Sequence, residues 1–128
     1  MKILLDTHIL LWAAYTPERL SQRVEQMISD PANSLNFSVA SLWEVAIKAS
    51  LGRDDFQVDV AELRLGLVAN DYMELAIGSS HVLRVPTLPP IHADPFDRIL
   101  VAQAMAEGFV LVSNDAKIKA YGGPVWDM

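Results

Sequence analysis

A chain of 128 residues has room for one domain over 1–128, and 52% hydrophobic residues with a mean hydropathy of +0.23 exclude a disordered chain. Cysteine is absent, which excludes disulfides, thiolate zinc sites and cysteine nucleophiles, and fits a reducing, cytoplasmic setting. The net charge of -6 excludes nucleic-acid binding by simple neutralisation of phosphates, unless the surplus carboxylates gather around cations that meet the phosphate instead. The opening apolar run is too short for a signal peptide, and no stretch approaches the about 20 apolar residues that span a bilayer, so a soluble protein without membrane contact is expected.

Ile3-Leu4-Leu5 is an all-apolar run, the pattern of a strand buried on both faces of a parallel sheet, and it stops at Asp6. Thr7 to Tyr15 follows as a helix; Thr16-Pro17 breaks it, and Pro17 is placed to open a second helix through Ile28. Asp30-Pro31-Ala32-Asn33 is a turn, Leu35 to Val39 a second strand, and Ser41 opens a helix. Its apolar residues Leu42, Trp43, Ala46, Ile47 and Leu51 recur at helical spacing until Gly52 and predict a buried face.

After a polar connection from Arg53 to Asp59, Val60 to Ala69 reads as helical, while Tyr72 to Ile77 fits a strand or a loop equally. Pro86, Pro89 and Pro90 mark an extended loop. Asp94 then stands as an N-cap with Pro95 at the first helical position, opening a helix to Glu107 that Gly108 ends. Phe109 to Val112 is another buried strand, closing on Ser113-Asn114-Asp115. Alternating strands and helices without repeats predict an α/β fold: a three-layer α/β/α sandwich around a parallel sheet of four or five strands.

Open parallel sheets bind ligands beyond the carboxyl ends of their strands, which is where Asp6 and Asp115 stand. Asp97, in the first turn of the helix leading to the last strand, and Glu44, in the first turn of the helix after the second strand, belong at the same edge. Four converging carboxylates repel unless cations offset them, and oxygen-only ligation selects hard ions such as Mg2+ or Mn2+. Each acid also has a plain structural use. Glu44 completes a capping box with Ser41 and pairs with Lys48, Asp94 and Asp97 suit a helix N-terminus, and Asp6 and Asp115 serve as N-caps. Arg98 and Lys48 suit a phosphate or a neighbouring acid equally, and His8, His81 and His92 show no ligand spacing and receive no chemistry.

Four blocks in order, Leu4-Leu5-Asp6-Thr7-His8-Ile9-Leu10-Leu11-Trp12, Ser41-Leu42-Trp43-Glu44-Val45-Ala46-Ile47-Lys48, Asp94-Pro95-Phe96-Asp97-Arg98 with Ile99 to Ala104, and Val112-Ser113-Asn114-Asp115, span essentially the whole chain. Together they resemble the PIN-domain family, specifically its VapC-like toxin ribonucleases of type II toxin-antitoxin systems. The resemblance implies that Asp6, Glu44, Asp97 and Asp115 form the acidic quartet that holds one or two metal ions. Asp94 becomes a cap or outer acid, and Thr7 and Ser113 become hydrogen-bonding groups behind the ligands. It implies Mg2+, with Mn2+ able to substitute, and hydrolysis of RNA phosphodiester bonds. Asp97 and Asp115 are both left open as the residue that orients the water.

The resemblance further implies a small antitoxin protein inserting a segment into the acidic groove, and a homodimer. Leu10, Leu11, Trp12, Trp43 and Ile47 suit either such contacts or ordinary core packing. A non-catalytic PIN-fold binding module is the principal alternative. An aspartyl-nucleophile phosphatase needs a second acid where His8 stands, a receiver-like domain needs an acidic pair after its first strand, and the glycine-rich nucleotide-binding motifs are missing.

Overall fold

The computed structural model describes residues 1–126. Four strands, β1 (Lys2–Leu5), β2 (Ser34–Ser38), β3 (Met73–Leu75) and β4 (Val110–Val112), form one parallel sheet in the order β3-β2-β1-β4. The first strand is central: Ile3 lies against Leu35 on one side and Val110 on the other, and Leu5 pairs in register with Val112. Beyond β4 the sheet is extended by a single parallel bridge from Leu111 to Val125.

Ile3, Leu4 and Leu5 are wholly buried because their side chains alternate between two cores. Ile3 and Leu5 join Ile9, Leu10, Val24, Phe37, Val45, Leu63 and Leu67 on one face. Leu4 joins Ala40, Leu100, Val101, Leu111 and Ile118 on the other. The first core is covered by α1 (Thr7–Tyr15), α2 (Gln22–Ser29), α3 (Val39–Ser50) and α4 (Val60–Ala69). The second is covered by α6 (Pro95–Glu107) and α7 (Ala116–Lys119), with α5 (Ser79–Arg84) packed against α6. Truncating any of the three β1 residues to alanine would cost about 2–5 kcal/mol. None of the helices among the described residues is long and apolar enough to cross a membrane.

Caps set the helix boundaries. Asp94 accepts from the Phe96 N–H at 2.8 Å with Pro95 at the first position, and Gly108 closes α6 in the left-handed conformation at φ 71°. Several boundaries differ from the sequence expectation. Pro17 begins only a 3-10 turn, Pro17–Arg19, and α2 starts at Gln22 behind its own cap, Ser21. Val39 belongs to α3, capped by Ser38, whose hydroxyl accepts from the Ala40 N–H at 3.0 Å. The Ser41–Glu44 capping box is therefore not formed: Ser41 is buried inside the helix and Glu44 lies in its second turn.

The face of α3 expected to be buried is also displaced. Ala40, Ser41, Glu44 and Val45 point inward, whereas Trp43 and Ile47 are 59% and 41% exposed. The helix turns polar groups toward the sheet edge, so apolar periodicity misplaces its buried stripe. Met73–Leu75 resolves the open segment as an edge strand. Helix α5, six residues long with Val82 and Leu83 exposed, has no amphipathic pattern that the sequence could have revealed.

Candidate active site

The carboxyl ends of β1 and β4 deliver Asp6 and Asp115 to one edge of the sheet, and the first turn of α6 brings Asp97 beside Asp115. Asp6 is 2% exposed; its Oδ1 accepts from the Ile9 N–H at 2.9 Å, and its Oδ2 accepts a short hydrogen bond from the Ser113 hydroxyl. The same Ser113 hydroxyl accepts from the Asp115 N–H at 3.0 Å, tying the two strand-end acids together. Asp115 caps α7 through Oδ1, which accepts from the Lys117 N–H at 2.7 Å, and leaves Oδ2 turned toward His92. Capping and site membership thus coexist in one carboxylate, each using a different oxygen.

His92, to which the sequence assigns no chemistry, stands at the site. Its Nε2 lies 3.0 Å from Asp97 Oδ2 and 3.3 Å from Asp115 Oδ2. One ligand atom from each of His92, Asp97 and Asp115 falls within 4.8 Å of the other two, a grouping able to hold a metal ion. The legible signal was local: His92 precedes the Asp94 cap by two positions, so the turn that starts α6 throws its ring back over Asp97. The Asp94 N–H donates to His92 Nδ1 at 3.1 Å, and the Tyr121 hydroxyl accepts from the His92 backbone N–H at 3.0 Å.

Glu44 comes to the same neighbourhood from α3. Its Oε2 pairs with Lys48 Nζ at 3.3 Å, while its Oε1 is buried with no hydrogen-bond partner. Lys48 is therefore engaged with an acid. Arg98 is a loop clamp, its guanidinium donating to the carbonyls of Val85, Pro89 and His92 and to the Tyr121 hydroxyl, so neither the phosphate nor the ion-pair expectation holds for it. Thr7 sits one layer back, donating to the Ser41 hydroxyl at 3.0 Å and joining α1 to α3. His81 is buried between the Gly78 N–H and Glu107, away from the acids, and His8 packs near Trp12.

The acids disturb one another's protonation. Asp97 is pushed up to about 7, first by burial and then by the negative charge of Asp94, with Glu44 and Asp115 adding to it against the opposing effect of His92. Burial raises Asp6 as well, outweighing its hydrogen bonds from Ser113 and Ile9, with Asp115 adding repulsion. For Asp115 burial also pushes upward, but hydrogen bonds from His92, Lys117 and Ile118 win and hold it below the ordinary carboxylate value. The edge thus pairs one firmly ionised acid with others resisting ionisation, an arrangement that a bound cation would relieve.

The family model of the PIN domain matches residues 3–124. The chain belongs to the PIN-domain family. Ribonuclease VapC22 of Mycobacterium tuberculosis is 29% identical over 123 residues, covering 95% of this chain and 93% of that protein. This PIN domain also shares its fold with VapBC2 from Rickettsia felis, solved bound to a promoter DNA fragment, at a TM-score of 0.68 and 18% identity over 99% of this chain and 100% of the other. VapBC-1 from nontypeable Haemophilus influenzae aligns at 0.65 and 19% identity, covering 94% and 92% of the two chains. A toxin-antitoxin complex from Klebsiella pneumoniae aligns at 0.64 and 20%, covering 98% and 96%. The four-stranded parallel sheet flanked by helices is accordingly the PIN-like α/β architecture expected from the sequence.

Proposed function

We propose that this PIN domain is a divalent-cation-dependent endoribonuclease and the toxin of a toxin-antitoxin pair. The observation that carries the proposal is the meeting of Asp97, Asp115 and His92 within 4.8 Å, backed by Asp6 and Glu44 at the same sheet edge. Its similarity to a ribonuclease along 95% of the chain supports the choice of RNA as substrate.

The residues suit a hard divalent cation. Glu44 Oε1 is a buried carboxylate oxygen without a partner, and Asp97 is kept from ionising in the ordinary range by burial and its neighbours. Asp6, Glu44, Asp97 and Asp115 would hold Mg2+, with Mn2+ able to substitute. When bound, the cation supplies Lewis-acid chemistry: it offsets phosphate charge and acidifies water.

The chain's own groups complete the reaction. Asp97, beside Asp115 and His92 at the sheet edge, is placed to take the proton of the attacking water at its carboxylate. Asp115, held ionised, and Asp6, fixed by Ser113 and Ile9, keep the acidic pocket in one geometry. Ser113 positions both strand-end acids at once.

An antitoxin segment is the proposed partner, as in the toxin-antitoxin complexes that share the fold. Beside α3 and α6 lies an apolar cleft of about 410 Å³ lined by Trp43, Val82, Val85, Phe96 and Ile99, suited to receive it. A homodimer and a cytoplasmic location belong to the same proposal.

Incubation with total cellular RNA and Mg2+ or Mn2+ tests it, with EDTA and Asp6→Asn as controls. Discrete cuts that vanish in both controls are expected. Intact RNA under every cation would overturn the nuclease reading and leave a non-catalytic binding module.

A further inference from the structure

His92 stands where the proposed cation would have to enter, and its hydrogen bonds define what it can do there. The Asp94 N–H points at Nδ1, so that nitrogen presents a lone pair and carries no proton. The ring proton then resides on Nε2, the atom 3.0 Å from Asp97 Oδ2 and 3.3 Å from Asp115 Oδ2. An imidazole nitrogen that ligates a metal must be free of its proton, with the proton carried on the other nitrogen. That arrangement is incompatible with the Asp94 N–H bond.

Resting on the nuclease reading above, we propose that His92 is a built-in competitor of the metal rather than a ligand. Its Nε2–H bonds Asp115 Oδ2 at 3.3 Å and stands 3.0 Å from Asp97 Oδ2, and cation entry requires it to withdraw. Its placement is firmly founded. The His92 backbone N–H donates to the Tyr121 hydroxyl at 3.0 Å, its carbonyl accepts from Arg98 at 3.4 Å, and the same Arg98 fastens the loop at Val85 and Pro89. The Arg98 and Tyr121 bonds hold the His92 backbone in place, and the Asp94 N–H holds its ring over the acids. The Nε2–H occupies the space between the two carboxylates that a cation would take, and so raises the cation concentration at which the site fills.

The test is the sign of an affinity change. Mn2+ binding is measured by titration calorimetry on the full chain and on His92→Ala, at a pH above that at which Asp97 loses its proton. Removing the competing hydrogen bond should tighten Mn2+ binding by roughly tenfold, the effect of one net hydrogen bond to a charged group. Nitrogen-15 NMR of the unaltered chain gives a second readout that no folding defect of a variant can disturb. The His92 ring should carry its proton on Nε2 without metal and keep it there at saturating Mg2+.

Weaker or unchanged Mn2+ binding by His92→Ala, or a ring proton that moves to Nδ1 when Mg2+ binds, overturns the proposal and makes the imidazole a ligand or a bystander. Failure of the unaltered chain to bind either ion overturns the nuclease reading together with this proposal, a result distinct from the others.

Discussion

The Ser113 hydroxyl donates to Asp6, 107 positions earlier in the chain, and accepts from the Asp115 N–H, so one oxygen couples the ends of β1 and β4. Parallel neighbours β1 and β4 pair Leu5 with Val112, which places Asp6 and Ser113 side by side at the sheet's exit. The geometry follows from strand register and needs no loop to adapt. Ser113→Ala leaves Asp6 with one hydrogen bond fewer in a buried setting. We expect metal affinity to fall about 10- to 100-fold, as for other groups that orient ligands, with a stability loss of about 1 kcal/mol. Calorimetric metal titration beside thermal unfolding separates the two effects; an unchanged affinity would assign Ser113 to structure alone.

Glu44 and Lys48 form a pair one helical turn apart, in which Lys48 is 40% exposed and Glu44 only 8%. The unpartnered Oε1 points to other work for Glu44. Glu44→Gln should abolish RNA cleavage while leaving the unfolding midpoint nearly unchanged. Lys48→Met should retain cleavage, since the ammonium pairs only with Oε2 and leaves the unpartnered Oε1 in place. Equal losses in both variants, measured on one RNA substrate, would reduce Glu44 to an ion-pair partner.

The strand-end acids were legible as candidates because an apolar run followed by an acid marks the ligand-binding edge of a parallel sheet, although Asp6 and Asp115 also cap the helices that follow. Asp94 and Pro95 likewise announced the start of α6 by local chemistry. What could not be read depends on contacts made at a distance. Ser41 looked like a cap and instead accepts from Thr7 on another helix, and Trp43 looked like core but faces out because Glu44 takes the inward position. His92 gained its place from the Arg98 and Tyr121 clamp, which no spacing of histidines records.

Arg98 holds three carbonyls of the proline-rich loop with one guanidinium. A lysine has a single ammonium and cannot reach all three carbonyl acceptors with a planar fork of donors. Arg98→Lys should lower stability by about 1–3 kcal/mol and release the loop that carries His92. Amide hydrogen exchange over residues 85–94 should rise while β1 amides stay protected. Uniform exchange throughout the chain would mean that Arg98 acts on the whole fold.

The Asp97 carboxyl supplies a pH dependence whose sign can be fixed. Its folded value is about 7 against an ordinary 3.8, so between these limits the folded state holds a proton that the unfolded chain has released. Stability of the metal-free protein therefore falls as pH rises from about 4 to about 7. Above that window the penalty from this group is complete. Asp97→Asn removes it, and the metal-free variant should be the more stable protein at neutral pH, with a flatter unfolding profile between these limits. The same substitution should eliminate cleavage, since the amide neither binds a cation strongly nor accepts the water's proton. Saturating Mg2+ should reverse the order, stabilising the unaltered chain in proportion to the logarithm of free ion and leaving Asp97→Asn nearly unmoved. Thermal unfolding across pH, with and without Mg2+, reads both arms. A metal-free Asp97→Asn protein less stable than its parent at neutral pH would show that the carboxylate is satisfied by His92 and carries no strain for a cation to relieve.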